Sequence, residues 1–357
     1  AGHSHTLAAI PDPAAMGNVR VNRYVPSLEI VRKFPSLRKI IMGRQRGFVP
    51  SLTESCDLAS RLCPFYGCDI PEDEQPYYRE YMLRRQGCGH VRVEDFLRWV
   101  DAFRSYMGFD AVSVYGPGEP FLHPGTVDVL RACGDRGLSM NFSTNGNRFS
   151  RDQLEFLKLG KVGTVIFSLD ALTAETYKAV KPAGDFFKIT AALEELIQAR
   201  DEGAKLRISV SFIRQEFNAH EEEAFVEHWK QQVDEVVVTS KYHAGQPEWE
   251  PSFTPHALLP CAHLENSVHV LSNGDCWTCS AGVPDEFMLG NVDEIGPKAV
   301  LKNLDDYVSA RIDTGEAGLL CRRCKWWAQV QRIETWQDGR IVRVDQPYSY
   351  RVVGVCR

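Results

Sequence analysis

Short runs of β-branched and aromatic residues alternate with amphipathic segments through the middle of the chain, and this alternation restricts the fold more than any other feature. The predicted strands are Ala111–Tyr115, Ser139–Ser143, Thr164–Leu169, Leu206–Phe212 and Glu235–Ser240. The predicted helices are Val93–Met107, Asp152–Leu159, Phe187–Arg200 and Ala219–Gln231. Such alternation is typical of a parallel α/β sheet or barrel. With a further strand leading into the Cys56 loop, we expect about six β/α units.

Composition and charge exclude several classes of protein. The 357 residues are 44% hydrophobic and 25% charged, which is ordinary for a globular protein. Lys and Arg total 41 against 47 for Asp and Glu, and the basic residues are scattered, so we expect no nucleic-acid partner. No apolar run reaches about 18 residues and no signal-peptide pattern opens the chain, so the sequence predicts a cytoplasmic protein without a membrane partner.

The eleven cysteines fall into groups. The first group is Cys56, Cys63 and Cys68, and the second is Cys261, Cys276, Cys279, Cys321 and Cys324. In a reducing compartment, clustered thiols indicate metal sites before disulfides. Three thiols in one loop can ligate three irons of a 4Fe-4S cluster and leave the fourth iron open, although a zinc site or coincidence also fits the first group.

Polar and glycine-rich motifs follow three of the predicted strands. They are Gly116-Pro-Gly118-Glu119-Pro120, Asn141-Phe-Ser143-Thr-Asn145-Gly146 and Ser168-Leu-Asp170. Ligands of parallel α/β folds bind at the carboxyl ends of the strands, where these motifs lie. For any one motif taken singly, ordinary turn chemistry is the simpler interpretation.

Together with the cysteine loop, these motifs resemble the radical S-adenosylmethionine (SAM) superfamily, over roughly residues 50 to 325. The resemblance implies a partial (β/α)6 barrel, a 4Fe-4S cluster on Cys56, Cys63 and Cys68, and SAM as a cofactor. It assigns Glu119 to the SAM amino group. The other residues that it assigns to the cofactor site are Leu62, Gly118, Pro120, Ser143, Asn145, Ser168 and Asp170.

The cysteine loop departs from the family pattern, which is Cys-x3-Cys-x2-Cys. Here Cys56 and Cys63 fit that pattern only if Ser60 stands at the position of the middle cysteine. Either Cys68 supplies the third thiolate by an unusual path, or Ser60 marks a site that has lost a ligand. Cys88 is a further candidate ligand for the first cluster.

The second cysteine group contains a predicted hairpin. Asn273-Gly274 is expected to turn the chain between Val268–Leu271 and Asp275–Trp277. This region resembles the auxiliary-cluster (SPASM or twitch) domain of radical SAM enzymes, which implies a second 4Fe-4S cluster on Cys261, Cys279, Cys321 and Cys324. Zinc held by the same four thiolates is the alternative, and Cys276 is interpreted as a bystander.

These features divide the chain into five segments. They are an N-terminal extension (1–50), a radical SAM partial barrel (51–245), a linker (246–260), an auxiliary-cluster domain (261–330) and a C-terminal hairpin and tail (331–357).

The domain plan resembles aminocyclitol dehydrogenases of aminoglycoside biosynthesis. It implies hydrogen abstraction by a 5′-deoxyadenosyl radical from a hydroxyl-bearing sugar or aminocyclitol carbon, with oxidation of the alcohol to a ketone. The alternatives are an epimerase, whose hydrogen donor would be Cys88, Cys133, Cys276 or Cys356, a peptide maturase, and a noncatalytic iron–sulfur or zinc module.

Substrate contacts are expected at the mouth of the barrel. Lys241, Tyr242 and His243 follow the last predicted strand, and Arg214 follows the preceding one. These side chains are candidates for orienting hydroxyl groups or accepting a proton. The family resemblance also implies an external one-electron reductant such as flavodoxin or ferredoxin.

The two cysteine groups predict an iron content of about eight per chain after anaerobic reconstitution. Replacing Cys56, Cys63 and Cys68 together is expected to leave about four irons and abolish SAM cleavage, because only the first set binds SAM in this assignment. Iron analysis and a deoxyadenosine assay check both outcomes, and an unchanged iron content in the triple variant would contradict the assignment.

Overall fold

The computed structural model describes residues 35–42, 46–58, 60–63, 89–159, 162–240, 267–279, 287–314, 331–337, 340–343 and 349–353. Its helices are α1 (Pro35–Met42), α2 (Val93–Met107), α3 (Thr126–Asp135), α4 (Arg151–Lys158), α5 (Ala174–Val180), α6 (Phe186–Asp201), α7 (Glu222–Trp229) and α8 (Val292–Thr314). Short 3-10 turns span Pro120–Leu122 and Ala219–Glu221.

The strands form two sheets. They are β1 (Gly47–Pro50), β2 (Ala111–Val114), β3 (Ser139–Thr144), β4 (Thr164–Ser168), β5 (Arg207–Arg214), β6 (Glu235–Ser240), β7 (Ser267–Val270), β8 (Asp275–Trp277), β9 (Met288–Asn291), β10 (Gln331–Gln337), β11 (Arg340–Arg343) and β12 (Ser349–Val353). The larger sheet has the order β11-β10-β12-β6-β5-β4-β3-β2. Its strands β2 to β6 are parallel and follow each other in sequence order, so their carboxyl ends share one edge.

Side chains alternate between the two faces of the parallel strands. One face is apolar and packs against the helices, with Val112, Phe142, Phe167, Val210 and Phe212 in the core. The opposite face, which we call the inner face, carries small polar residues together with apolar ones such as Ile166 and Val237. The polar residues are Ser113, Asn141, Ser143, Ser168, Ser209 and Ser211. The period of two in the sequence produces this separation.

Local sequence signals set the ends of several helices. Helix α4 starts with a capping box in which the Ser150 hydroxyl accepts from the Gln153 N–H and the Gln153 side chain accepts from the Ser150 N–H. Helix α2 ends at Gly108, whose φ of 65° closes the helix through a hydrogen bond to the Arg104 carbonyl.

The second sheet joins β1, near the start of the described chain, to three strands that follow β6 in the sequence. Its order is β1-β7-β8-β9, with β1 parallel to β7 and the later pairs antiparallel. The predicted hairpin is confirmed, but its turn differs from the expectation. Ser272 and Asn273 are the central residues of the turn, and Gly274 follows at a φ of 86°. This three-residue form needs a glycine at the left-handed position.

Other details of the fold also differ from the sequence prediction. Strand β1 lies within the segment assigned to the N-terminal extension, and it hydrogen bonds to β7 instead of joining the larger sheet. Strand β12 pairs antiparallel with β6, so part of the predicted tail extends the main sheet. The expected helix at Ala219–Gln231 begins with a 3-10 turn and ends at Trp229. Among the described residues, no helix is both long and apolar enough to cross a bilayer.

Helix α8 is kinked at Gly296, whose φ of 77° is not helical, and Asp293, in the short segment before the kink, connects this element to α2. Its Oδ1 accepts hydrogen bonds from the Trp99 indole at 2.8 Å and from Arg98 at 2.6 Å. Replacing Asp293 by Ala is expected to lower the free energy of unfolding by about 1 to 2 kcal/mol, because a charged acceptor of two donors is lost. Asp306→Ala is the matched control, since its pair with Lys302 is exposed and is worth no more than about 0.5 kcal/mol. Urea denaturation measures both, and equal losses would contradict the assigned role of Asp293.

Candidate functional site

The loops that follow β1 to β5 lie next to each other at the carboxyl edge of the parallel strands. The loop after β1 contains Cys56 and Cys63, and both thiols are half-buried. Burial raises the pKa of Cys56 to about 12, with the nearby Cys63 contributing in the same direction. The Cys63 N–H donates to the Ser60 carbonyl at 2.9 Å, so residues 60 to 63 form a tight turn. We call residues 51–63 the cysteine loop.

The loop after β2 packs closely against the cysteine loop. A Cβ atom on Gly118 would lie 2.2 Å from the Thr53 carbonyl oxygen and 2.7 Å from that of Ser55. The Glu119 N–H donates to the Ser55 carbonyl at 2.8 Å. Any larger residue at position 118 would therefore push the two loops apart. The close packing of the cysteine loop therefore requires glycine at position 118.

The Glu119 carboxylate connects the loops after β2 and β3. Oε1 accepts from the Phe121 N–H at 3.1 Å and from the Thr144 hydroxyl at 2.8 Å, and Oε2 accepts from the Asn145 N–H at 2.6 Å. The side chain is 3% exposed. Its assignment to the SAM amino group stays a prediction. Within the protein, these contacts hold the loops after β2 and β3 together.

Asp57 anchors the cysteine loop to the loop after β3. Its carboxylate accepts from the side-chain amides of Asn145, at 2.9 Å, and Asn147, at 2.7 Å, and from Arg148 at 3.0 Å. The Asn145 Nδ2 also lies 3.9 Å from the Cys56 sulfur. Both asparagines are thus fixed by a residue that directly follows the first cysteine.

The residues predicted at the end of β4 form a buried ion pair with a lysine. Lys181 Nζ lies 2.8 Å from Asp170 Oδ2 and 3.0 Å from the Ser168 hydroxyl, and it also donates to the Ser168 carbonyl. Asp170 and Lys181 are 1% and 2% exposed. Asp170 Oδ1 accepts from the Ile213 N–H on β5, so this carboxylate is occupied within the protein. The backbone φ of Asp170 is 61°, which is unusual for a residue other than glycine.

The structure also places the remaining described candidates. Arg214, at the end of β5, forms an ion pair with Glu222 on α7 through two of its nitrogens. Leu62 is buried in the cysteine loop, Pro120 starts the 3-10 turn, and Ser143 lies half-buried on the inner face. Cys279 follows β8 and is 6% exposed.

Several predicted site residues lie outside the described residues. They are Cys68, Cys261, Cys321, Cys324, Lys241, Tyr242 and His243. Within the part of the chain that the structure describes, no three His, Cys, Asp or Glu side chains come close enough to hold a metal ion. That part contains two thiols of the first predicted set and one of the second.

Two of the cysteines considered as hydrogen donors are described, and both are fully buried. Cys133 is fully buried near the end of α3, where its carbonyl accepts from the Leu138 N–H before β3 begins. Cys276 is fully buried on β8, and its thiol donates to the Gly274 carbonyl.

Sequence reasoning missed some residues that hold the site together. Lys181, Asp57 and Glu54 are buried or nearly buried charged groups with partners distant in sequence. Glu54 accepts from the Ser272 N–H at 2.9 Å and from its hydroxyl, which ties the cysteine loop to the turn between β7 and β8. The adjacency of Asp57 to Cys56 was visible in the sequence, whereas nothing there pointed to Lys181 or Glu54.

The residues present fit an iron–sulfur cluster and a polar cofactor beside it. Cys56 and Cys63 offer two thiols of the type that binds iron. The Tyr177 hydroxyl and the Ser51 hydroxyl are buried without a hydrogen-bond partner. Unpartnered buried polar atoms are expected where a ligand supplies the missing contact.

Comparisons with known proteins agree with this arrangement. Residues 51–211 match the profile of the Radical SAM superfamily. A segment of 96 residues is 33% identical to the mycofactocin maturase MftC of Mycobacterium ulcerans, covering 27% of this chain and 26% of that protein. The matched segments span between 24% and 42% of the length of the curated relatives.

Solved structures share the fold at low identity. Streptococcus suis SuiB bound to the precursor peptide SuiA has a TM-score of 0.55 at 16% identity, over 85% of this chain and 74% of that chain. Native anSMEcpe with bound AdoMet has a TM-score of 0.55 at 14% identity, over 80% and 87%. At these identities the likeness concerns the fold.

Replacing Glu119 by Gln is expected to change how stability depends on pH. Burial raises the pKa of Glu119 to about 7, so the folded protein keeps this proton where the unfolded chain has lost it. The stabilisation from this proton is fully present below the ordinary pKa of about 4.3 and is lost as the pH rises through about 7. In urea unfolding of the cofactor-free chain, the advantage of the parent over Glu119→Gln should therefore shrink from about pH 5 to about pH 8.

Glu221→Gln is the matched control for this measurement. Glu221 is also buried and accepts from Thr173 and Thr176, but its pKa is lowered, because these hydrogen bonds outweigh the opposing effect of burial. Its contribution should stay constant over the same pH range. A parent advantage over Glu119→Gln that grows with pH would contradict the prediction.

Proposed function

We propose that the radical SAM domain formed by residues 51–211 belongs to an oxidoreductase that converts an alcohol carbon of a sugar or aminocyclitol to a ketone. The observation that carries the proposal is the polar inner face, which ends at the cysteine loop. A wall of hydroxyl and amide groups suits a substrate rich in hydroxyl groups, because each can donate and accept hydrogen bonds.

In this proposal, the chain's own residues hold the cofactors. Cys56, Cys63 and Cys68 would bind the first 4Fe-4S cluster, and residues of the cysteine loop and of the loops after β2, β3 and β4 would contact SAM. When bound, these groups supply a 5′-deoxyadenosyl radical that removes a hydrogen atom, with one electron delivered by an external reductant such as flavodoxin or ferredoxin. Gly118 and Glu119 hold the loops together. Ser143 presents its hydroxyl on the inner face, whereas the Ser168 hydroxyl accepts from Lys181 and donates to Asp170.

The oxidation also requires acceptors for one proton and one electron after the hydrogen atom has left. Lys241, Tyr242 and His243 follow β6 in the sequence and are the proposed proton acceptors. Arg214 orients a substrate hydroxyl, since a guanidinium stays protonated and Glu222 fixes its position. Cys261, Cys279, Cys321 and Cys324 would hold a second 4Fe-4S cluster, which would supply the electron acceptor. Support for that placement comes from the Glu54 contact to Ser272, which holds the strand before Cys279 beside the cysteine loop.

Modification of a peptide is the second candidate function. The identity with MftC, a protein named as a maturase, favours it. At the strand edge, Tyr115 and Phe217 are 38% and 37% exposed, and the Arg61 guanidinium lies 4.8 Å from the centre of the Phe217 ring. Exposed aromatic rings beside a cation suit the side chains and backbone of a peptide as well as a sugar ring.

Product mass tests the proposed reaction. With the anaerobically reconstituted chain, SAM, dithionite and a panel of aminocyclitols and sugars, we expect deoxyadenosine and a product lighter by two hydrogens. Replacing Cys321 and Cys324 by Ala should leave deuterium transfer from substrate to deoxyadenosine intact but prevent ketone formation, because the substrate radical has no electron acceptor.

The control variants are Cys88→Ala, Cys133→Ala and Cys356→Ala, which should keep the activity. A product of unchanged mass, or one of these variants inactive with its iron content intact, would identify an epimerase. Turnover of a peptide but of no sugar would identify the second candidate. A parent chain that binds iron but never cleaves SAM would contradict both enzymatic functions.

A further inference from the structure

The side-chain amide of Asn145 is fixed next to the Cys56 sulfur. Its Oδ1 accepts from the Asn147 N–H at 2.8 Å, and its Nδ2 donates to Asp57 Oδ1 at 2.9 Å. Exchanging the oxygen and the nitrogen would set the amide NH2 against another N–H and the oxygen against a carboxylate. The amide orientation therefore follows from its partners, and the nitrogen is the atom that faces the sulfur, at 3.9 Å.

Burial and a second set of contacts prevent this amide from rotating. Asn145 is 8% exposed, and the Asp57 side chain is 9% exposed. Asp57 is itself held by the Asn147 amide at 2.7 Å and by Arg148 at 3.0 Å. A donor that is fixed in advance loses little conformational entropy when it forms a further hydrogen bond.

We propose that Asn145 donates an N–H···S hydrogen bond to the Cys56 thiolate and thereby raises the reduction potential of the iron–sulfur cluster, with Asp57 as its positioning residue. The inference rests on the proposed function, in which Cys56 is a ligand of the first cluster. It gives Asn145 a different role from the cofactor contact expected from the sequence.

The sign of the effect follows from the charge of the reduced cluster. One electron from dithionite lowers the cluster charge by one unit, and part of the added charge resides on the thiolate sulfurs. A hydrogen-bond donor stabilises the more negative state more strongly, so it makes reduction easier. The Asp57 carboxylate acts in the opposite direction, but its ion pair with Arg148 offsets part of its charge.

Asn145→Ala and Asn147→Ala form a matched pair of variants. Each removes one amide donor from Asp57, but only Asn145 approaches the sulfur. The full chain is reconstituted anaerobically without SAM, its iron content is measured, and the reduced cluster is followed by electron paramagnetic resonance during a redox titration.

At the potential that half-reduces the parent cluster, we expect the ratio of reduced to oxidised cluster in Asn145→Ala to fall about three- to tenfold, where tenfold corresponds to about 59 mV. Asn147→Ala should stay within about twofold of the parent. An unchanged ratio in Asn145→Ala, or equal shifts in the two variants, would overturn the proposal.

A measurement on the parent chain keeps the inference testable if Asn145→Ala fails to fold. With asparagine labelled by 15N in its side-chain amide, pulsed paramagnetic resonance of the reduced cluster should detect a 15N coupling that the unlabelled chain lacks. Absence of the coupling in a chain with a normal cluster signal overturns the inference alone. A parent without iron or without a cluster signal overturns the proposed function as well.

Discussion

The arrangement of the site depends on the buried carboxylate of Glu119. It accepts hydrogen bonds from the Phe121 N–H, the Thr144 hydroxyl and the Asn145 N–H, while its own N–H binds the Ser55 carbonyl. Loops after three strands are thereby held together by one residue, through its side chain and its backbone N–H. Removing it would leave these donors buried and unpaired, and each unpaired donor costs about 1 to 3 kcal/mol. No single apolar contact could fix the loops in the same way, because hydrophobic packing has no directional requirement.

Other buried carboxylates connect neighbouring loops along the carboxyl edge of the strands. Asp57 binds the loop after β3, Asp170 connects β4 to Lys181 and to β5, and Glu54 connects the cysteine loop to the turn between β7 and β8. A buried charge loses its hydration, so these groups add little net stability in comparison with an apolar core of the same volume. They instead select one geometry, since every oxygen must face its donors. A site that positions a reacting carbon atom requires such precision.

The sequence predicted the parallel strands well because their apolar face has a period of two and their helices a period near 3.6. Val112, Phe142 and Val210 lie in the predicted strands, and the structure places them in the core. The pairing of β1 with β7 and of β12 with β6 was not predictable, because backbone hydrogen bonds between distant segments leave no local signal. The role of Lys181 was not predicted from the sequence for a similar reason. Its partner Asp170 is distant enough in sequence that no helical or strand spacing relates them.

The motif residues fall into two sets, and they differ in what a substitution at each can reveal. Glu119, Asp170 and Gly118 are occupied by contacts within the protein, so replacing them disturbs the loops whether or not a cofactor touches them. Ser143, by contrast, is half-buried on the inner face. Replacing its hydroxyl removes a polar group from the inner face and leaves the hydrogen bonds of the buried carboxylates in place. A loss of cofactor affinity at Ser143 would therefore report direct contact, whereas the same loss at Glu119 would report a displaced loop as readily as a lost bond. The family resemblance assigns both sets to SAM, and only the contacts within the protein separate them.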